Sequence, residues 1–279
     1  MGSSEKSPWP ALLQYLMNVA FVIGFGWLCE KVSFYFYPLA LFLIGSRVQA
    51  LSLVGHEGVH QLIFNNKKMN IIFARYFCYF PSFISYTYYS RLHLLHHRFL
   101  GTVQDPDAYL FTVWQSKTQW FFIHARTLFT GRALISFAEY FNGLPQLLKN
   151  KVLFRGESDY FQMGVFWIFA ATLLSFFGGW KLFFLYWVLP LYCWLPWLQL
   201  INQLHHSGTS LMPNEKARNL ILKYSFLEQI FFPLNINFHE THHRDASIPF
   251  YRLRQQSKNE ARVSYLVSDI APVIFSGPV

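Results

Sequence analysis

Four long uncharged, mostly apolar stretches organise the chain, and they come in two pairs. Residues 11–29 open after Pro10, carry no charge over 19 positions, and close at Glu30 and Lys31. A bilayer core takes about 20 apolar residues of helix, so this stretch predicts a first membrane span. Residues 33–54, broken only by Arg47, predict a second. Residues 160–180 and, after Lys181, residues 182–201 predict a third and a fourth. Pro190 and Pro196 should kink the last one, which membrane helices tolerate when neighbouring groups satisfy the freed carbonyls. The fold class expected is an all-α integral membrane protein: four transmembrane helices in two hairpins, with a cytoplasmic helical cap formed by residues 55–159 and 202–279, the whole of 1–279 being one domain.

Shorter apolar stretches fall inside the cap. Residues 69–90 are rich in aromatics, but Arg75 leaves only 15 uncharged positions after it, too few to span. They read as an interfacial or re-entrant helix. Residues 220–238 read similarly, interrupted by Lys223, Glu228 and Pro233. Residues 251–279 mix charges without a strong period and read as a mostly peripheral tail.

Composition agrees with a membrane protein. Only 13% of residues are charged and 20% are aromatic, against about a quarter charged in soluble domains. The net charge of +9 comes without any basic-aromatic nucleic-acid motif, so no nucleic-acid partner is expected. The charge informs topology instead. Of 23 Lys and Arg residues, 20 lie on the side that holds both termini and the long segments, which the positive-inside bias makes cytoplasmic. Cys29, Cys78 and Cys193 are too few and too dispersed for a disulfide framework or a zinc ribbon. The first stretch has no cleavage site of a signal peptide, and Lys6 breaks the myristoylation pattern.

The histidines are grouped. His93, His96 and His97 stand at i, i+3 and i+4, and His239, His242 and His243 repeat that spacing. His56 and His60 form an i, i+4 pair and His205 with His206 a further pair. On helices these spacings put imidazoles on one face, and all eleven histidines fall on the expected cytoplasmic side. Imidazole is the commonest side-chain metal ligand and suits iron, zinc and copper. Ten clustered histidines are too many for one ion and about right for two with open positions. His124, standing alone, reads as a core or interface residue. The sequence His56, Glu57, Gly58, Val59, His60 also matches the HExxH zinc-protease pattern, which would make Glu57 a general base but leave eight clustered histidines idle. Zinc hydrolysis in a membrane, or haem for electron transfer, are the readings of another class.

This arrangement, HxxxH followed by two HxxHH boxes around two membrane hairpins, resembles the membrane fatty acid desaturase superfamily from the first span to about Phe250. The resemblance implies a non-haem di-iron centre, O2 as co-substrate, and insertion of a double bond into a fatty acyl chain or lipid. Hydroxylation or ketone formation on a carotenoid or other hydrophobic substrate is the alternative within the same chemistry. It further implies His56, His60, His93, His96, His97, His206, His239, His242 and His243 as ligands, with Asn202 acting through a water. By analogy with the acyl-CoA branch, one metal would take His56, His60, His97 and His243, and the other His93, His96, His206, His239 and His242. His205 is left over and would stand behind a ligand. The chain is short for the superfamily and has no fused haem or flavin domain, so electrons are expected from a separate donor of ferredoxin or cytochrome b5 type. Asp105 and Asp107 are either orienting groups behind an imidazole or simply an Asp-Pro-Asp turn, the turn being the preferred reading. Arg47 is either a substrate-channel residue or a guanidinium hydrogen-bonded between helices.

Overall fold

The structure is a computed structural model and describes residues 7–107, 159–207, 209 and 216–270. His124 lies outside them. The chain forms two compact units, Met1–Ser90 with Leu134–Trp194, and Arg91–Ala133 with Leu195–Val279.

The first unit is built from the apolar helices. Helix α1 (Trp9–Lys31) starts with Pro10 in its first turn, where a missing N–H costs nothing. Leu13, Leu16, Met17, Ile23 and Trp27 stay exposed on it, as expected for a lipid-facing surface. After a short turn in which the Ser33 hydroxyl accepts from Tyr35 N–H, α2 (Tyr37–Val59) packs against α1. With the turn of 3₁₀ helix before it, this apolar helix covers Phe34–Val59, five residues beyond the expected end of the span. The extension carries His56. The helix then stops in a Schellman closure: Leu62 N–H reaches the Glu57 carbonyl (2.9 Å) and Gln61 N–H the Gly58 carbonyl (3.2 Å), with Gln61 left-handed at φ 61°.

Helix α5 (Tyr160–Phe176) ends four residues before the expected boundary. Gly178 takes φ +64°, and Gly179 N–H caps the Leu174 carbonyl at 2.8 Å. The turn is therefore Phe177–Gly178–Gly179, not Lys181, and α5 has 17 residues, none of them buried. Helix α6 (Trp180–His206) follows. Among the described residues three helices, α1, α2 with its preceding turn, and α6, are long and apolar enough to cross a membrane, while α5 falls short of that length. Within the first unit α6 opens with a π-helical turn at Phe184–Val188, just before Pro190. Its backbone approaches α2 where Gly45 faces the Pro190 carbonyl and Trp194, so closely that a Cβ on Gly45 would lie 2.6 Å from that oxygen.

The stretch expected as an interfacial helix breaks up. Helix α3 (Lys67–Phe73) is N-capped by Asn66, whose side chain accepts from Lys68 and Met69 N–H. A π-helical turn (Ala74–Tyr79) and a 3₁₀ turn (Phe80–Ser82) follow, and Phe83 then reverses the chain at φ 62°. Helix α4 (Tyr86–Phe99) starts behind Ser85, whose hydroxyl accepts from Tyr88 N–H. Buried Asp159 completes this start. It accepts from Thr87 N–H (3.0 Å) and from the Ser85 hydroxyl, and it pairs with Arg75 at 3.2 Å. A carboxylate at a helix N-terminus also opposes the macrodipole.

The second unit holds the ends of α4 and α6 and the segments after them. Residues expected as an interfacial helix, 220–238, instead give strand β1 (Asn219–Ile221) and short turns over a core of Ile201, Leu204, Leu220, Phe232 and Ile270. Strand β1 pairs in parallel with β2 (Ser264–Leu266), Leu220 opposite Tyr265, so the fold is not purely helical. Helix α7 (His239–Arg244) carries the third histidine box. Helix α8 (Phe250–Asn259) corrects the expectation of a peripheral tail. Phe250, Leu253 and Ser257 form one buried face, and Arg254 pairs with buried Glu228. Arg252, Arg254, Gln255 and Gln256 between them hid that sparse stripe.

Candidate metal centre

Seven imidazoles converge within the second unit, from three elements. Helix α4 supplies His93, His96 and His97, the last turn of α6 supplies His206, and α7 supplies His239, His242 and His243. They form two groups. The potential ligand nitrogens of His96, His206, His239 and His243 all lie within 4.8 Å of one another, and so do those of His93, His97 and His242. His206 Nε2 and His243 Nε2 each lie 3.0 Å from His239 Nε2. His97 Nε2 lies 3.0 Å from His93 Nε2 and 3.1 Å from His242 Nε2. The groups adjoin, the rings of His97 and His243 being 4.3 Å apart.

This division differs from the one expected by analogy, which set His243 with His97 and put His93 and His242 with the other set. Helix geometry explains the difference. Residues i and i+4 sit one above the other, so His93 stays with His97 and His239 with His243, while His96 and His242 cross to the opposite groups.

Several imidazoles have their tautomer fixed from behind. His96 Nδ1 donates to the buried Asp105 carboxylate at 2.8 Å, with Asp107 at 4.0 Å. His206 Nδ1 donates to the Lys216 carbonyl at 2.9 Å. A neutral imidazole has one N–H, so each of these presents a lone pair at Nε2. The Asp-Pro-Asp segment is thus both a turn and a support. Asp105 also accepts from Gly101 N–H (3.0 Å) and Asp107 N–H (2.8 Å), which leaves its carboxylate no other orientation.

Burial holds His239 and His243 neutral. His239 and His243 are driven well below the usual imidazole pKa, first by desolvation and then by neighbouring imidazoles. Nitrogen lone pairs about 3 Å apart repel one another, and a single proton at His239 Nε2 can bridge to only one of its two neighbours. A cation removes that conflict, and metal–nitrogen bonds of about 2 Å place neighbouring ligand nitrogens roughly 3 Å apart. His239 Nδ1 and His243 Nδ1 are buried without hydrogen-bond partners. The donor set, almost wholly imidazole nitrogen, fits a first-row transition metal.

In the first unit His56 and His60 face each other across one turn, ring centroids 4.6 Å apart. Burial, helped by the neighbouring His56, pushes His60 down to about 2. Glu57 is buried, with an oxygen 3.8 Å from His56 Nδ1. The end of α2 is wedged against the π-helical turn: a Cβ on Gly55 would lie 2.8 Å from the Cys78 Cβ and the Tyr79 ring, and one on Gly58 2.8 Å from the Ala74 Cβ. Arg47 donates to Ser46 Oγ (2.7 Å) and to Asn18 of α1 (3.4 Å), the interhelical arrangement. Asn202 sits half-buried one turn before His206 on α6.

Two supporting residues escaped the reading of the sequence. Arg218 is buried, and its guanidinium donates to the carbonyls of Leu204 (3.2 Å) and Ser207 (2.7 Å), closing the end of α6. Asn219 accepts from Thr241 N–H (3.2 Å) and donates to Thr241 Oγ1 (3.1 Å) and Ser257 Oγ (3.3 Å), fastening α7 and α8 to β1. Neither stands in a motif. Their adjacency to a basic, loop-like stretch gave no signal.

Comparison with known proteins adds the family. The chain matches the fatty acid desaturase family model over residues 32–267. It is 26% identical over 243 residues to dihydrorhizobitoxine desaturase of Bradyrhizobium elkanii, covering 81% of this chain and 68% of that protein. It is 24% identical over 277 residues to an sn-1 acyl-lipid omega-3 desaturase (ferredoxin) of Synechocystis, covering 91% and 76%.

Proposed function

The chain belongs to the fatty acid desaturase family, a membrane protein and a desaturase-type oxidoreductase, and on that footing we propose that it is an O2-dependent di-iron enzyme that introduces a double bond into a fatty acyl chain or lipid. The observation that carries the metal reading is the meeting of seven buried or half-buried imidazoles, six of them with a nitrogen 3.0–3.1 Å from a neighbour's and His96 within 4.8 Å of its group. One iron is held by His96, His206, His239 and His243, with Asn202 acting through a water. The other is held by His93, His97 and His242, and the family resemblance adds His56 and His60 as iron ligands. Among the described residues, Asp105 and Asp107 place negative charge behind His96, and Glu57 lies 3.8 Å from His56.

Bound there, the two irons would supply the oxidising power that O2 and two electrons generate against an unactivated C–H bond. The chain's own residues do the rest. Asp105 holds the His96 ring in one orientation and keeps its proton on Nδ1. The Lys216 carbonyl does the same for His206. His96, His206, His239 and His242 are buried, which limits the access of water to them. Electrons come from a separate donor, for which the printed name of the Synechocystis relative suggests a ferredoxin. The active site and both termini face the cytoplasm on this reading, and residues 1–279 make a single desaturase domain.

The test is mass spectrometry of the lipids of a host with and without the gene. Lipids lighter by two mass units support desaturation. A gain of sixteen or fourteen units would replace it with hydroxylation or ketone formation, and unchanged lipids under aerobic conditions with a supplied donor would refute it.

A further inference from the structure

A cavity of about 410 Å³ opens where the turn after α1 meets the start of α6, lined by Cys29, Glu30, Val32, Ser33, Phe34 and Lys181. Its size falls in the range of small-molecule sites, about 300–1,000 Å³. It lies at the end of α2 away from the first histidine box. From Tyr37 to His56 the helix rises about 28 Å, close to the roughly 30 Å of a hydrocarbon core. The cavity therefore sits at the head-group level of the opposite membrane face. Exposed Phe34 lines it, and exposed Tyr35 and Trp180 adjoin its lining residues in the chain. Tyr and Trp are the rings that collect at a membrane–water interface.

The polar groups of the cavity are held in place. Glu30 accepts from Lys181 Nζ and from the Tyr186 hydroxyl, each at 2.9 Å. Anchored by Tyr186, the carboxylate keeps the Lys181 ammonium at the cavity. An ammonium has three donors, and Glu30 occupies one of them. The Lys181 side chain is 67% exposed, and exposed Lys31 follows Glu30 directly. Two lysines against one carboxylate leave this mouth net positive. Ser33 Oγ accepts from Tyr35 N–H at 3.2 Å, which uses a lone pair and not the hydroxyl proton.

We propose that this cavity binds the phosphodiester of a glycerophospholipid. The Lys181 and Lys31 ammonium groups and the Ser33 hydroxyl take the phosphate, and Val32 and Phe34 lie against the glycerol and the first methylenes. Free phosphate shares the charged part of that chemistry. The apolar half of the lining and the head-group depth favour the lipid. Because the cavity lies away from the first histidine box, this lipid is a fixed component that ties the α1–α2 turn to α6, and not a chain presented for oxidation. The inference goes beyond the desaturase reading and does not rest on the metal.

The test uses the purified full-length chain in detergent, freed of co-purified lipid, and follows native mass spectra and thermal unfolding in three titrations. The probes are dioleoyl phosphatidylglycerol, dioleoylglycerol, which lacks the phosphate, and inorganic phosphate. Wild type should take up one phosphatidylglycerol at saturation and unfold at a higher temperature, and it should respond to neither other probe over the same concentrations. A lysine near the membrane surface strengthens binding to an anionic lipid about fivefold. Lys31→Gln/Lys181→Gln should therefore bind at least about tenfold more weakly. Lys67→Gln/Lys68→Gln, an equal loss of charge at the exposed start of α3, should bind as wild type does. Unaltered binding in the first pair, or equal weakening in both, overturns the site. An equal response to dioleoylglycerol overturns the role of the phosphate, and inorganic phosphate binding in place of the lipid overturns the lipid. If the first pair does not fold, Lys31→Gln and Ser33→Ala decide singly. About fivefold weaker binding by Lys31→Gln supports the site, and wild-type binding by both single variants overturns it.

Discussion

Replacing Asp105 separates its two roles, because Asn preserves one and removes the other. The buried carboxylate accepts from His96 Nδ1 (2.8 Å), Asp107 N–H (2.8 Å) and Gly101 N–H (3.0 Å). An Asn side chain can still form the turn. It has one acceptor oxygen instead of two, and it has no charge. Asp105→Asn should therefore keep the fold, with stability lowered by about 1 kcal/mol for the lost charge-assisted bond. Its iron affinity at the His96 group should fall 10–100-fold, roughly 1.4–2.7 kcal/mol. Asp105→Ala strands three donors, and at about 1–3 kcal/mol for each that stays buried it should lose roughly 2–4 kcal/mol of stability as well. The assay is iron content and chelator-driven iron release of the purified variants, beside their thermal unfolding. The turn-only reading makes Asp105→Asn indistinguishable from wild type in iron release. That result would refute the orienting role.

Three further outcomes follow from the geometry. Gly55→Ala forces a methyl to within 2.8 Å of Cys78 and Tyr79, so it should cost about 1–3 kcal/mol and loosen the first histidine box. Gly24→Ala, with nothing within 4 Å of the added carbon, is the control, and equal melting temperatures for the two would contradict the packing at Gly55. Metal-free protein should be acid-labile: His239 and His243 are held well below their usual pKa and His60 is at about 2. Unfolded histidines take up protons below about pH 6.5 while these cannot, so stability is full above that pH. It should fall by about 1.4 kcal/mol per pH unit for each group as the pH drops toward its folded pKa, and denaturation curves flat from pH 7.5 to 5 would contradict their burial. Arg47→Met should leave turnover within about threefold of wild type, because the guanidinium bonds Ser46 and Asn18 in a link of about 1 kcal/mol. A turnover loss of tenfold or more with iron retained would restore Arg47 to the substrate channel.

The histidine boxes were legible in the sequence because helical spacing alone puts His93 with His97 and His239 with His243 on shared faces. Their sorting into groups was not legible: which neighbours His96 and His242 join depends on how α4 meets α7, a tertiary fact. The resemblance supplied an order that this geometry does not follow. The apolar helices were legible from charge-free length, but their ends were set by local closures. Gly178 and Gly179 stopped α5 early, and left-handed Gln61 let α2 run on to carry His56. Strand β2 and helix α8 escaped notice because a three-residue strand and a face of Phe250, Leu253 and Ser257 carry too few apolar positions to show a period. The Asp-Pro-Asp segment is legible both as a turn and as an orienting group behind an imidazole, with the turn preferred; that Asp105 does both, and that His96 is the imidazole, depends on how the turn folds back onto α4.

The most direct measurement is the metal content of the purified full-length protein by inductively coupled plasma mass spectrometry, wild type beside His96→Ala and His242→Ala. The account predicts two irons per chain in the wild type and loss of iron in both variants, which stay folded and in the membrane. Stoichiometric zinc without iron, no metal at all, or two irons retained in both variants would contradict it.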